Sequence, residues 1–245
     1  MLIPAEFINA TVSVRNSASN VSNTEVLSGL RWRAIDTVLL DMDGTLLDLY
    51  FDSYLWRDCL PRRYAERHNI TFSAAEAHIN PRIKAREGTL KWYCLDHWTQ
   101  EFGIDISGLE YEHRERITVR PQAREFLHWL RTQGKQLVLT TNAHRRSLDL
   151  KLRQTGIGVF FDEIFSAHDF GAPKEEVEFW RRLQTRCGFQ PARSLLVDDN
   201  PRVLRSARNF GIAFVLGVHL PDSRAPARSS TEFPHLEDFR EIMAA

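Results

Sequence analysis

The sequence predicts an α/β protein, with a doubly wound, mainly parallel sheet and a helical segment inserted after the first strand. Short apolar runs alternate with helical patterns, which is typical of parallel strands covered by helices on both faces. The five strand-like runs lie near residues 36–41, 136–141, 163–167, 194–198 and 213–218. The first interval indicates the insertion, because about 100 residues separate Asp41 from Thr141 and a parallel crossover needs only about a dozen.

The first strand ends in two carboxylates. The run from Thr37 to Leu40 is followed by Asp41, a methionine, Asp43 and then Gly44. A strand that stops at Asp41 lets the chain curl, so that Asp43 turns back toward the first carboxylate. Two anionic groups held together require a cation, and hard carboxylate oxygens suit Mg²⁺. The alternative is a solvated turn, because Asp-Gly is a common turn dipeptide.

Residues 50–119 are predicted to form a helical cap above these carboxylates, with helical stretches around 51–68, 73–87 and 91–102. A small cap needs a core of its own, and we expect most of its rings to serve packing. The aromatic residues of the cap are Tyr50, Phe51, Tyr54, Trp56, Trp92, Tyr93 and Trp98.

Two helices flank the second strand. The first is predicted to begin at Pro121 and to end at Gly134, since proline favours a helix start and glycine a helix end. The second carries Leu148 and Leu152 on its apolar face and ends before Gly156. Helices of this kind cover a parallel sheet, in which ligands bind at the carboxyl ends of the strands.

Polar residues follow the later strands at that same edge. Thr141 and Asn142 end the second strand and offer a hydroxyl and an amide that suit phosphate oxygens. Asp198 and Asp199 end the run from residue 194 and form a second acidic strand end. Lys174 offers one ammonium in a loop before a helical pattern, with an ordinary solvated lysine as the alternative. Together these residues predict a site for a phosphate group and a metal ion.

Composition argues against several classes of partner. Lys plus Arg equals Asp plus Glu at 32 each, so no net field favours a nucleic acid polymer or an acidic membrane. No apolar run approaches the length of a membrane span. Cys59, Cys94 and Cys187 are odd in number and far apart, which favours a reducing cytoplasm over a disulfide framework. The nine histidines include no ligand-spaced pair, and no C-x-x-C zinc spacing is present.

These patterns divide the 245 residues into three parts. Residues 1–30 show no periodicity long enough to predict an element, so we expect a disordered or loosely docked extension. Residues 31–49 and 120–245 form the predicted core, and residues 50–119 form the predicted cap. The sequence leaves the oligomeric state open.

The carboxylate, Thr-Asn, lysine and second acidic motifs extend from about Thr37 to Gly217. Their order along the chain resembles that of the haloacid dehalogenase-like phosphohydrolases. A closer resemblance, to the bacterial GMP/IMP nucleotidases of that superfamily, rests on four stretches. They are DMDGTLLDLYFDSYLW (41–56), LKWYCLDHW (90–98), TNAH (141–144) and FGAPK (170–174). The resemblance implies a Rossmann-like core with an inserted cap, and a Mg²⁺-dependent phosphomonoesterase that acts on purine nucleoside 5′-monophosphates.

The resemblance also implies catalytic roles. Asp41 is the implied nucleophile, which attacks phosphorus to form an aspartyl-phosphate that water then cleaves. Asp43 would protonate the leaving oxygen and later deprotonate the water, a role typically worth about 10²–10⁴-fold. Thr141 and Asn142 would hold the phosphoryl oxygens, and Lys174 would neutralise charge on the transferred group.

The expected metal ligands are Asp41, the backbone carbonyl of Asp43 and the acidic pair. Asp199 is the first choice for a direct ligand of Mg²⁺, and Asp198 is the second, through water. Trp92 and Tyr93 are the cap rings that we expect to reach a purine, because they lie in a stretch shared with the nucleotidases.

Other functions compete with this one. A sugar-phosphate phosphatase or phosphomutase of the same superfamily shares the Asp-x-Asp motif and the helical cap. A haloacid dehalogenase is disfavoured, because a departing halide needs no acid, whereas Asp43 supplies the acid that an alkoxide requires. A noncatalytic binding protein on this fold has no need for a nucleophile, an acid, a phosphate grip and a metal site together.

Overall fold

The computed structural model describes residues 23–227 and 232–243. The strands are β1 (Thr37–Leu40), β2 (Gln136–Thr141), β3 (Glu163–Ser166), β4 (Ser194–Val197), β5 (Phe214–Val218) and β6 (His235–Leu236). They form one parallel sheet in the order β3-β2-β1-β4-β5-β6. The strand order reverses beside β1, and ligands of such sheets bind in the crevice at that point. The predicted α/β class is confirmed.

Helices of the described residues are α1 (Asn23–Ser28), α2 (Tyr50–Tyr54), α3 (Leu60–His68), α4 (Phe72–Lys84), α5 (Leu95–Phe102), α6 (Ile106–Glu112), α7 (Ala123–Thr132), α8 (Arg145–Thr155), α9 (Ala167–Phe170), α10 (Val177–Cys187), α11 (Pro201–Phe210) and α12 (Arg240–Met243). A π-helical turn, Leu55–Cys59, joins α2 to α3. The helix predicted from Pro121 begins at Ala123, because Gln122 has a left-handed backbone with φ of 58°.

The central strand β1 is buried on both faces. Val38 and Leu40 join one apolar cluster, whereas Leu39 joins the cluster on the opposite face of the sheet. Successive side chains of a strand point to opposite faces, so an uninterrupted apolar run is what a doubly covered strand requires. This burial fixes the register of β1 and therefore the position of the aspartate that follows it.

Residues 50–119 have an apolar cluster of their own, which extends from Leu55 to Leu109. Trp98 stacks on Phe102 within it, with ring centroids 5.4 Å apart and an interplanar angle of 7°. Of the seven aromatic residues named above, Phe51 and Trp98 are buried and the other five are partly buried. Helix α6 and the π-helical turn were not predicted from the sequence.

Two short antiparallel segments join this helical unit to the sheet. The N–H of Arg120 donates to the carbonyl of Leu46 at 2.9 Å, and the N–H of Asp48 donates to the carbonyl of Thr118 at 3.0 Å. The Asp48 carboxylate also accepts from the N–H groups of Tyr50 and Ser223, at 2.9 and 3.1 Å. The two chain segments that connect the helical unit to the sheet therefore lie side by side, next to the end of β1.

The predicted extension, residues 1–30, lies in part outside the described residues. Its last eight residues include α1, which contacts α12, and the buried side chains of Leu27 and Leu30 join an apolar cluster of the core. The Asn23 side chain donates to and accepts from the backbone of His235, at 2.9 Å in each case. None of the helices in the described residues is long and apolar enough to cross a membrane.

Candidate active site

Asp41 lies at the carboxyl end of β1 and is buried. Its Oδ1 accepts a hydrogen bond from the Nζ of Lys174 at 2.6 Å. Its Oδ2 is also buried and has no hydrogen-bond partner among the described residues. A buried carboxylate oxygen without a partner is costly, so this atom is placed to bind a cation or to attack an electrophile.

Gly44 fixes the turn after the two aspartates. Its φ is 87°, in the left-handed region that side chains other than glycine rarely adopt. A Cβ atom on this residue would come within 2.8 Å of the Asp199 carboxylate carbon. Glycine at this position therefore lets the turn after β1 lie against the Asp199 carboxylate, which follows β4.

Lys174 is 1% exposed and joins the two acidic strand ends. Its Nζ donates to Asp41, to the Asp198 Oδ2 at 2.6 Å and to the Thr140 carbonyl at 3.0 Å. Trp180 holds the lysine loop by donating its Nε1 to the Lys174 carbonyl at 3.0 Å. The alternative of a solvated lysine is wrong, because this ammonium is enclosed and bonded to both carboxylates.

Burial and charge set the protonation of this cluster. Burial lowers the pKa of Lys174, but the carboxylates of Asp198 and Asp41 more than offset this and keep the pKa above its usual range. Burial raises the pKa of Asp41 to about 7 and that of Asp198 to about 6, against the attraction of Lys174. The single ammonium of Lys174 therefore does not balance the charge of the carboxylates around it.

The residues present fit a magnesium ion. Asp41, Asp198 and Asp199 each offer a carboxylate oxygen, and the three oxygens lie within 4.8 Å of one another. Both Asp198 oxygens accept hydrogen bonds, from Lys174 and from the N–H of Asn200 at 2.9 Å. Mg²⁺ prefers oxygen ligands and keeps several waters, and when bound it would polarise a phosphoryl oxygen and offset its charge.

The Asp43 carboxylate does not belong to this oxygen cluster. Its Oδ1 accepts from the Nζ of Lys151 at 2.8 Å, and Lys151 also donates to both oxygens of Asp52, at 2.7 and 2.9 Å. The predicted metal contact of Asp43 therefore depends on its backbone carbonyl. The carboxylate is held by Lys151 and lines the same cavity as Asp41.

Lys151 was not predicted from the sequence. Burial lowers its pKa, but Asp43, Asp52 and Glu110 raise it above the usual range, so the ammonium stays charged. Burial raises the pKa of Glu110 to about 7, and its Oε1 accepts from the Ser147 hydroxyl at 2.7 Å. Ser147 and Lys151 are four residues apart, on the buried face of α8. A lysine at an inward-facing position of a helix is the sequence signal that could have identified Lys151.

Thr141 and Asn142 lie beside Lys174, as predicted. The Thr141 hydroxyl accepts from the N–H of Ala143 at 3.0 Å. The Asn142 amide oxygen accepts from the Lys174 N–H at 2.9 Å, and its nitrogen donates to Glu175 at 3.0 Å. The Asn142 side chain therefore orients the lysine loop in addition to facing the site. Glu175 was not predicted.

A cavity of about 550 Å³ lies between the helical segment and the sheet, above Asp41. Its volume suits a small-molecule ligand. Trp92 and Tyr93 both line it, with ring centroids 4.7 Å apart. The Tyr93 hydroxyl donates to Glu175 at 2.6 Å, and burial beside that carboxylate raises the Tyr93 pKa. Trp56 and Trp98 complete an aromatic wall.

Residues 35–211 match the haloacid dehalogenase-like hydrolase family. The chain belongs to this family, and it is a phosphatase-type enzyme within it.

Among its relatives, the GMP/IMP nucleotidase YrfG of Escherichia coli is 38% identical over 214 residues, which cover 87% of this chain and 96% of that protein. The pyrophosphatase PpaX of Bacillus velezensis is 27% identical over 73% of this chain and 81% of that protein. Among solved structures, a haloacid dehalogenase-like phosphatase from Thermococcus onnurineus has a TM-score of 0.73 at 21% identity. That match covers 86% of this chain and 97% of the other. The structural similarity supports the fold.

Proposed function

We propose that the protein is a Mg²⁺-dependent phosphomonoesterase that hydrolyses purine nucleoside 5′-monophosphates through an aspartyl-phosphate. The observation that carries the proposal is the Asp41 carboxylate, which is held by Lys174 through Oδ1 and has a buried Oδ2 beside the cavity. The cytoplasmic location predicted from the sequence belongs to the same proposal, and all three cysteines are free thiols.

The residues divide the chemistry between two faces of the site. Asp41 attacks phosphorus from the base of the cavity, while Lys174 and the metal site offset the charge of the phosphoryl oxygens. Asp43 gives a proton to the departing alkoxide and later takes one from water. Lys151 holds the Asp43 carboxylate at 2.8 Å, on the side where the leaving group departs. Nucleophilic attack and proton transfer are therefore assigned to different carboxylates.

A purine nucleotide is the substrate class that two observations favour. The relative with 38% identity over nearly its whole length is a GMP/IMP nucleotidase. The cavity above Asp41 is lined by indole and phenol rings, which suit stacking on a base. The predicted helical cap, residues 50–119, supplies all of these rings and closes over the phosphate site.

The proposal predicts phosphate release from GMP and IMP that stops in excess EDTA and returns when Mg²⁺ is added. Ca²⁺ is expected to restore less activity, because its larger and looser coordination sphere spoils in-line geometry. Free phosphate is measured over a panel of nucleoside monophosphates and sugar phosphates. Full activity in EDTA would contradict the metal site.

The same panel separates the competing functions. Glucose 1-phosphate is expected to yield neither glucose 6-phosphate nor much free phosphate. Efficient isomerisation would instead support a phosphomutase, and preferred release from a sugar phosphate would support a sugar-phosphate phosphatase. No turnover of any phosphate ester by a folded, Mg²⁺-loaded protein would leave only a binding function.

Trp92→Ala is expected to raise KM for GMP and IMP by about 10-fold or more, because it removes a stacking ring worth about 1–3 kcal/mol. Hydrolysis of p-nitrophenyl phosphate, which has no purine, should be spared. Tyr93→Phe keeps the ring but loses the hydrogen bond to Glu175. It therefore separates the effect of stacking from that of the Tyr93–Glu175 contact. Equal losses on both substrates with a lower melting temperature would assign Trp92 to packing alone.

A further inference from the structure

Cys94, His144 and His168 meet at the boundary between the helical segment and the sheet. One ligand atom from each lies within 4.8 Å of the other two, and all three residues are partly buried. The two imidazole rings pack edge to face, with centroids 4.9 Å apart. The cysteine precedes α5, and the histidines follow β2 and β3, so three separate elements converge here.

Each group has a ligand atom turned toward the others or left without a partner. The His168 Nε2 is buried and has no hydrogen-bond partner among the described residues. The His144 Nδ1 accepts from the N–H of Arg146 at 3.4 Å, which leaves Nε2 for a ligand. The Cys94 Sγ accepts from the N–H of His97 at 3.4 Å.

We propose that Cys94, His144 and His168 bind a zinc-type transition-metal ion that fastens the helical cap to the core. Sulfur and imidazole ligands select borderline-soft ions such as Zn²⁺ over Mg²⁺, which prefers oxygen. The site is therefore chemically distinct from the carboxylate cluster at Asp41. Three protein ligands leave one tetrahedral position for water or for a neighbouring carboxylate.

One acidic side chain lies beside this cluster. The Asp96 carboxylate is 3.5 Å from the His144 Nε2 and pairs with Arg146 through its other oxygen. It is the neighbouring carboxylate that would fill the fourth position.

A metal ion here would act as a cross-link. Cys94 directly follows Tyr93, whose hydroxyl already bonds Glu175 across the same boundary. An ion shared by Cys94 and the two histidines would hold this stretch against the ends of β2 and β3. The cap would then be fixed at one edge of the cavity, independently of any substrate.

Co²⁺ titration of the full-length protein in saturating Mg²⁺ tests the proposal, because Mg²⁺ occupies the carboxylate cluster and Co²⁺ reports sulfur ligation. We expect one equivalent to give a thiolate-to-metal charge-transfer band and the intense visible bands of tetrahedral Co²⁺. Cys94→Ser should abolish the charge-transfer band, and His168→Gln should weaken binding by about 100-fold or more. The matched controls Cys187→Ser and His128→Gln should bind Co²⁺ like the wild type. A band unchanged in Cys94→Ser, or lost equally in Cys187→Ser, would overturn the site.

A second measurement needs no substitution and so does not depend on the variants folding. Cys94 and Cys187 are both free and partly buried, which makes Cys187 an internal reference. Zn²⁺ is expected to protect Cys94 from alkylation, as read by peptide mass spectrometry, while Cys187 reacts at its unliganded rate. It should also raise the melting temperature. Equal alkylation of Cys94 with and without Zn²⁺ would contradict the proposal.

Discussion

Asp41→Asn is expected to lower phosphate release by about 10⁴-fold or more while the protein stays folded, since the amide is nearly isosteric but a poor nucleophile. The melting temperature should match or exceed that of the wild type, because the change removes one of two buried carboxylates that share Lys174. Rapid acid quench of the wild type should trap phosphate on the peptide that contains Asp41. The variant should trap none.

Two comparisons make the Asp41 result specific. Asp149→Asn alters an exposed aspartate on α8 and should leave turnover unchanged. Asp41→Ala guards against slow conversion of the new asparagine back to aspartate. Wild-type-like phosphate release from folded Asp41→Ala would sink the covalent mechanism and would also remove Asp41 from the proposed metal ligands.

Lys174→Met is expected to cost both activity and stability. It leaves Asp41 and Asp198 buried without their shared ammonium, and breaking a buried ion pair from one side typically costs about 3–5 kcal/mol. Turnover should fall by about 10³-fold or more, because the group that offsets phosphoryl charge is lost. Urea unfolding and phosphate release measure the two effects. Lys84→Met, on the exposed side of α4, is the matched control.

The stability loss in Lys174→Met should depend on pH in a defined direction. The pKa values of Asp41 and Asp198 are already raised by burial, to about 7 and about 6, and they should rise further without the lysine. A carboxyl group with a raised pKa in the folded state binds protons more readily when folded, so acid stabilises the fold. We expect a smaller stability loss at about pH 5 than at about pH 7.5. Equal losses at both pH values would argue against buried, unpaired carboxylates.

The strands and the acidic motif could be predicted because their signals are local. An apolar run that stops at Asp41 defines both a buried strand and the position of its carboxylate. The same holds for the run that ends at Asp198. Strand β6 has two residues and carries no such pattern, so it was not predicted. Asp43 was expected to turn toward Asp41, but its carboxylate pairs with Lys151, which is 108 residues away in the chain.

Contacts across the cap boundary could not be predicted from spacing. Lys151 meets Asp52 across 99 residues, and no periodicity relates the two. No two histidines have the sequence spacing of a metal-ligand pair, yet His144 and His168 come together with Cys94 in the folded chain. Their separation along the chain is set by the length of α8 and by the pairing of β2 with β3. Only the folded topology brings such residues to one edge.

The position of Lys151 makes the orientation of Asp43, the proposed acid, a property of the core. Lys151 and Asp43 both belong to elements around the sheet, whereas Asp52 and Glu110 belong to the helical segment above it. The contact of Lys151 with Asp43 therefore lies within the core, whereas its contact with Asp52 crosses to the helical segment. A change in the helical segment that removes Asp52 would leave Asp43, the proposed acid, oriented by the same ammonium.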